Sequence, residues 1–298
     1  YEAIRALKLP NDVAPALVFD PAASGVLLPE GDAGLQWEPR PARRPADDDD
    51  LAFMTVAELA SLLKTRQVTS MELTGLYLTR LRTYDGVLQA VVSYTEDRAW
   101  AQARQADREL DAGRWRGPLH GIPYGAKDLL ATRGALTTWG ATPYREQMID
   151  ADAAVVEKLD AAGAVLLAKL SLGALAWGDV WFGGTTKNPW NPEQGSSGSS
   201  AGPGAATAAG LVAFAIGTET SGSILSPSGR CGVTGLRPTL GRISRAGVMA
   251  LSWTQDRLGP MCRYAEDCAL VMSVIARPLS EMMVGCLTAA SSHTVWMW

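Results

Sequence analysis

Histidine is nearly absent: His120 and His293 are the only two among 298 residues. Histidine is the usual proton carrier of hydrolytic sites, so a Ser-His-Asp triad has little to draw on. His120 is held between Leu119 and Gly121, and His293 falls in a C-terminal stretch without clear period. The four cysteines, Cys231, Cys262, Cys268 and Cys286, form no C-x-x-C pair. That argues against a zinc site or a redox pair and fits reduced thiols in a cytoplasmic protein. Basic residues are not in excess, with 27 Lys+Arg against 31 Asp+Glu and a net charge of −4. Direct nucleic-acid binding therefore has no electrostatic footprint. The longest apolar stretch, around residues 205–216, contains Gly210 and is too short to span a membrane. A phosphate-cradling G-x-x-x-x-G-K-[ST] run is missing, and no G-x-S-x-G elbow surrounds Ser223. No internal repeat is visible.

What is present is ample apolar content, 47%, enough for a buried core. Residues 1–50 are rich in Pro, Gly and Ala, and the run PRPARRPADDDD at 39–50 reads as an exposed, flexible linker. A boundary is expected near Leu51. Thr55–Glu58 and Thr69–Glu72 each have capping-box spacing ahead of an apolar helical face. A third helix is expected over 95–111, ending near Gly113. A short strand should end near Lys127, and a helix should run over 152–162 with Asp152 as N-cap. Residues 165–168 and 211–216 read as buried strands, 200–209 as a helix of small residues and 264–275 as an amphipathic helix. Helix followed by apolar strand, more than once, predicts an α/β sheet with helices on its faces.

The chain centres on residues 195–230, where two Ser/Gly turns are joined by a small helix and a strand. Glycine there lets backbone pass close to a ligand. Amide hydrolysis needs a nucleophile, a proton carrier and donors for the oxyanion. With histidine scarce, a neutral lysine is the alternative base, since burial lowers an ammonium pKa from about 10.4. Of six lysines, Lys127, Lys169 and Lys187 lie near strand ends or loops, and composition does not choose among them. Ser196, Ser197, Ser199 and Ser200 each read equally as turn or cap serines.

The motifs that choose are Gly121-Ile122-Pro123-Tyr124-Gly125-Ala126-Lys127-Asp128, Gly198-Ser199-Ser200-Ala201-Gly202, Gly217-Thr218-Glu219-Thr220-Ser221-Gly222-Ser223-Ile224 and Cys231-Gly232-Val233-Thr234-Gly235-Leu236-Arg237-Pro238-Thr239. In this order they resemble the amidase signature family, from about Thr55 to about Ile275. The glutaminase subunit of aspartyl/glutamyl-tRNA amidotransferase is a related protein. The resemblance implies an α/β amidase-signature fold, a mixed β-sheet core with helices on both faces, and a Ser-Ser-Lys triad whose middle serine follows a cis peptide bond. Carried onto this sequence, Ser223 is the nucleophile, Ser199 the bridging serine and Lys127 the base. Backbone amides of Thr220, Ser221, Gly222 and Ser223 would form the oxyanion hole, and Ser200 would support by hydrogen bonding. Asp128 and Glu219 are expected to brace turns, and Arg230 and Arg237 to be structural. Ser221 and Leu225 stand where many relatives have glycine and arginine.

The implied activity is hydrolysis of a small or hydrophobic linear amide through a seryl acyl-enzyme, with no metal or organic cofactor. The expected partner is a small-molecule amide; a homodimer stays open. Two rivals remain: the glutaminase subunit of a tRNA-dependent amidotransferase, and an inactive fragment. Residues 277–298 resemble nothing in the family, and the C-terminal part that relatives carry is expected to be missing. The expected organisation is a linker over 1–50, the amidase-signature domain over 51–276 and a non-native tail over 277–298.

Overall fold

The computed structural model describes residues 39–276, together with Glu2, Ala6 and Trp37. The expected tail over 277–298, with Cys286 and His293, and most of residues 1–38 lie outside the described residues.

The acidic run that reads as linker is exposed, but it also starts a helix. Asp47 caps helix α1 (Asp48–Phe53), its carboxylate accepting from Asp49 N, and three aspartates fill the first turn. Carboxylates there favourably meet the positive end of the helix dipole, so the helix crosses the boundary expected at Leu51. Both capping boxes form, at Thr55–Glu58 before α2 (Val56–Lys64) and at Thr69–Glu72 before α3 (Ser70–Leu88). Strand β1 (Val91–Tyr94) leads into α4 (Glu96–Asp111), which ends before Gly113, a glycine with positive φ.

Strand β2 (Pro123–Lys127) is followed, after a long loop, by α5 (Ala154–Ala161) and β3 (Val165–Leu170). Asp152 does not cap α5; the N-cap is Ala153, without a side-chain bond. Asp152 instead accepts from Arg98 at 3.0 and 3.2 Å and from Arg133 N at 2.8 Å. A bidentate guanidinium outcompetes the helix amides for that carboxylate. The Pro/Asn-rich segment expected as loop contains two small hairpins, β4 (Val180–Trp181) with β5 (Gly184–Thr185) and β6 (Lys187–Asn188) with β7 (Asn191–Gly195).

Helix α6 (Ala201–Ala208) is buried along its whole length. Its small residues let it lie close to the sheet, which also explains why an eight-residue helix of this composition holds: packing supplies what propensity does not. Strand β8 (Phe214–Glu219) begins three residues later than the apolar run. Helix α7 (Leu225–Cys231), β9 (Thr234–Gly235), β10 (Arg257–Cys262) and α8 (Ala265–Ile275) complete the described chain.

Six strands form one mixed sheet in the order β1-β3-β2-β8-β10-β9. The centre, β3-β2-β8, is parallel and the flanking pairs are antiparallel. Every residue of β2, β3 and β8 is buried, as expected of parallel strands covered on both faces. Tyr124 and Phe214 are partners in the β2–β8 ladder, and their rings stack at 5.3 Å. Parallel strands β2 and β8 present their C-terminal ends side by side, the place where open α/β sheets bind ligands. No helix among the described residues is long and apolar enough to cross a membrane.

Candidate active site

Lys127 ends β2 with no exposed surface. Its Nζ donates to Ser199 Oγ at 2.8 Å, Thr218 Oγ1 at 2.9 Å, Ser200 Oγ at 3.0 Å and the Thr218 carbonyl at 3.3 Å. All four partners are uncharged. Burial drives the Lys127 pKa well below the ordinary lysine value, while Glu219 and Asp256 oppose it from a distance. A neutral amine keeps two N–H donors and gains one lone pair, so one surrounding hydroxyl can donate to it.

The four competing serines have different fates. Ser196 is buried and donates to the Ser197 carbonyl at 2.9 Å. Ser197, at φ +64°, donates its N–H to Asp179 Oδ2 at 2.9 Å, and its hydroxyl lies 2.7 Å from that of Ser226. The Gly198–Ser199 peptide is cis. A Cβ on Gly198 would stand 1.8 Å from the Gly178 carbonyl oxygen, so only glycine lets these two backbones approach. Ser200 is fully engaged: its hydroxyl donates to the Thr218 carbonyl at 3.0 Å and accepts from Thr218 N at 3.2 Å and from Lys127. Ser199 Oγ meets only Lys127 among the described residues, which leaves it capacity for a second hydroxyl.

Ser223 sits in the turn after β8 and is half-buried. Its carbonyl accepts from Ser200 N at 3.0 Å, which stitches the two serine turns together. The Ser223 hydroxyl has no hydrogen-bond partner among the described residues. The structure thus brings Lys127 to Ser199 and Ser200 and joins the turns through backbone, without a closed Ser199–Ser223 hydroxyl bond.

Glu219 clamps the turn from beneath. Its buried carboxylate accepts from Ile224 N at 2.8 Å and Leu225 N at 2.9 Å and pairs with Arg237 at 2.6 Å. Thr220 Oγ1 donates to Asp256 at 2.6 Å, and Asp256 also holds Leu251 N and Ser252 N at 2.7 and 2.9 Å. Gly222 takes φ +93°, open to glycine at little cost. Among the described residues the amides of Ser221, Gly222 and Ser223 donate to no loop carbonyl. Ser221 and Leu225 are exposed beside this turn.

The remaining proton carriers are committed elsewhere. His120 is buried, its Nδ1 accepting from Arg116 N at 3.2 Å and its Nε2 3.2 Å from Glu109. Lys169 is buried against Asp128, and Lys187 lies on β6, part-exposed. Asp128 braces a turn, accepting from Thr138 N at 2.9 Å and from the Thr138 hydroxyl. Arg230 differs from Arg237: it makes no ion pair among the described residues and lines a cavity. Thr218, Asp256 and Asp179 are the contributors that sequence reading misses. Thr218 lies inside the motif that carries Ser223 and so had a signal; Asp179 and Asp256 had none.

With this geometry in hand, comparison with known proteins is informative. The sequence matches the Amidase family over residues 72–283. It is 44% identical over 225 residues to the A-type subunit of glutamyl-tRNA(Gln) amidotransferase from Methylococcus capsulatus, an alignment covering 74% of this chain and 46% of the relative. It is 43% identical to AmiD of Mycobacterium bovis, an amidase by name, over 77% of this chain and 49% of that one. The fold superposes on peptide amidase from Stenotrophomonas maltophilia with a TM-score of 0.73 and 37% identity, covering 81% of this chain and 51% of the other. The chain spans about half the length of these curated relatives. A match across most of the sequence, joined to a shared sheet and helix arrangement, means that this chain belongs to the Amidase family.

Proposed function

We propose that the chain carries the catalytic centre of an amidase acting on linear carboxylic amides through a seryl acyl-enzyme. The carrying observation is Lys127, fully buried without a carboxylate beside it and 2.8 Å from Ser199. Ser223 Oγ attacks the amide carbonyl and passes its proton to Ser199, whose own proton goes to the neutral Lys127 amine. Rotation of the half-buried Ser223 side chain completes the relay; catalytic hydrogen bonds often tighten only with substrate bound. The amides of Thr220, Ser221, Gly222 and Ser223 take the charge developing on the carbonyl oxygen. The relay then runs backward: Lys127 returns a proton through Ser199 to the departing nitrogen as the C–N bond breaks. Water hydrolyses the acyl-Ser223 ester by the same route. Ser200 and Thr218 hold the amine in place, and these steps need no metal or organic cofactor.

A fluorophosphonate probe followed by peptide mapping tests the reading. Labelling is expected at Ser223 and is expected to fade in Lys127→Met. Labelling at another serine, or undiminished labelling in that variant, would overturn it. A second reading, the glutaminase subunit of an amidotransferase, draws on the 44% identity to the Methylococcus protein. Glutamine hydrolysis that appears only with partner subunits would favour it over a stand-alone amidase.

A further inference from the structure

We infer that the cavity beside the Ser199 loop is a leaving-group subsite for an amine that carries a carboxylate, so that the preferred substrates are N-acyl amino acids. This rests on the amidase reading above. The cavity has a volume of about 420 Å³ and is lined by Asp179, Gly195, Ser197, Ser226 and Arg230. That volume suits a small-ligand site. Chain connectivity sets it next to the reacting serines. Ser197 stands two residues before Ser199, and Ser226 follows Ser223 by three, its N–H bonded to the Gly222 carbonyl at 2.7 Å.

The proton relay decides which half of the substrate lies there. Ser199 hands its proton to the departing nitrogen, so the amine leaves on the side of the Ser199 loop. Gly195 and Ser197 belong to that loop's approach, and Asp179 is bonded to it through Ser197 N.

The lining chemistry names the amine. Arg230 makes no ion pair among the described residues and presents a guanidinium fork that matches a carboxylate. The Ser197 and Ser226 hydroxyls lie 2.7 Å apart; whichever donates to the other, one O–H remains to donate outward. Asp179 spends one oxygen on Ser197 N at 2.9 Å and has no cationic side chain paired to it among the described residues. A Cβ on Gly195 would come 2.1 Å from Asp179 Oδ2, so glycine keeps the carboxylate in position.

A cation and an anion that share one cavity without pairing are both satisfied by a ligand bearing both signs. A neutral amine leaves Arg230 and Asp179 unanswered, and a carboxylate alone meets Asp179 repulsion. An amino acid meets both, its carboxylate at Arg230 and its nitrogen toward Asp179. The reaction balances as ordinary hydrolysis. The C–N bond breaks as the acyl group stays on Ser223, and the nitrogen takes one proton from Ser199 and a second from solvent, leaving as an ammonium.

The test compares N-acetylalanine with N-ethylacetamide as substrates of the chain. The native chain is expected to favour N-acetylalanine by about tenfold or more in kcat/KM, the scale of one charge-assisted pair. Arg230→Gln should bring that ratio near unity. Arg230→Glu should turn the preference toward N-acetyl-1,3-diaminopropane, whose amine end is cationic. A native ratio near one, or a ratio unmoved by Arg230→Gln, overturns the subsite while leaving an amidase standing. Hydrolysis of no amide at all overturns the amidase reading instead. Calorimetric titration with N-acetylalanine then decides the subsite: binding weakened about tenfold by Arg230→Gln supports it, and no binding overturns it.

Discussion

Lys127 and Lys169 lie on the paired strands β2 and β3, one register step apart. The ladder matches Ala126 with Lys169 and Lys127 with Leu170, so the two side chains leave the sheet on opposite faces. Both are fully buried. Lys169 meets Asp128 at 3.1 Å and donates to the Leu130 and Leu136 carbonyls at 2.8 and 3.0 Å and to Thr137 Oγ1 at 3.0 Å. Lys127 meets three hydroxyls and a carbonyl, with no carboxylate in contact. Burial lowers the pKa of each, but at Lys169 the adjacent Asp128 carboxylate opposes the fall directly. Burial in turn raises the Asp128 pKa, and Lys169 counters it. The lesson is that a buried lysine becomes a base only where its neighbours do not supply an opposite charge. On one face of the sheet the cation is a fastener; on the other the amine is free to take a proton.

The comparison can be broken at four points. The largest expected effect is Lys127→Met, which keeps the volume and removes the amine. It should lower amidase kcat by about 10²- to 10⁴-fold, the usual worth of a general base, while urea unfolding shows no loss of stability. A variant that unfolds instead would make Lys127 a second fastener. Next is Lys169→Met, which strands Asp128 in the core and should cost about 3–5 kcal/mol of unfolding free energy. Adding Asp128→Asn, which keeps acceptors for Thr138, should recover most of that loss. No recovery would mean that the pair is not what holds this face.

Smaller is Glu219→Gln, in which the amide oxygen still accepts from the turn but the charge facing Arg237 is gone. It should cost about 1–3 kcal/mol and slow acylation by disordering the turn that carries Ser223, readable as a fall in kcat larger than any rise in KM. The finest test is pH. The unfolded chain holds the Lys127 proton up to about pH 10.4, whereas the folded chain releases it well below that. Between these values unfolding takes up a proton, so stability should climb with pH through the window and flatten above it. Amidase activity should rise on the same acid limb as the amine becomes neutral. Denaturant melts at stepped pH, with Lys127→Met losing this part of the slope, check the sign.

Local patterns made much of the fold readable. The two Thr-x-x-Glu boxes announced α2 and α3, and both form. The run of small residues after Ser200 announced a helix pressed against the sheet, and α6 is buried throughout. Reading failed where a distant partner took over a local signal. Asp152 has cap chemistry, but Arg98 claims it. Strand β10 carries Gly259 and Pro260, poor strand formers on their own; its pairing with β8 across six residue partners makes it a strand. The acidic run at 47–50 looked like linker because its helix depends on tertiary packing of Leu51 and Ala52.

The residue types alone determined that the chemistry would have to rest on serine and lysine, because histidine is so scarce, and the order of the glycine-serine motifs marked the kinship. Only the folded chain decided which lysine is the base. Lys127 and Lys169 both end apolar runs, and nothing in either run says what lies above it. The hydroxyls of Ser199, Ser200 and Thr218 reach Lys127 from 72 to 91 residues away, while Asp128 meets Lys169 across 41 positions, a difference read from two paired strands. A pKa depends on burial and on charges a few ångströms off, and those distances exist only once the sheet has closed.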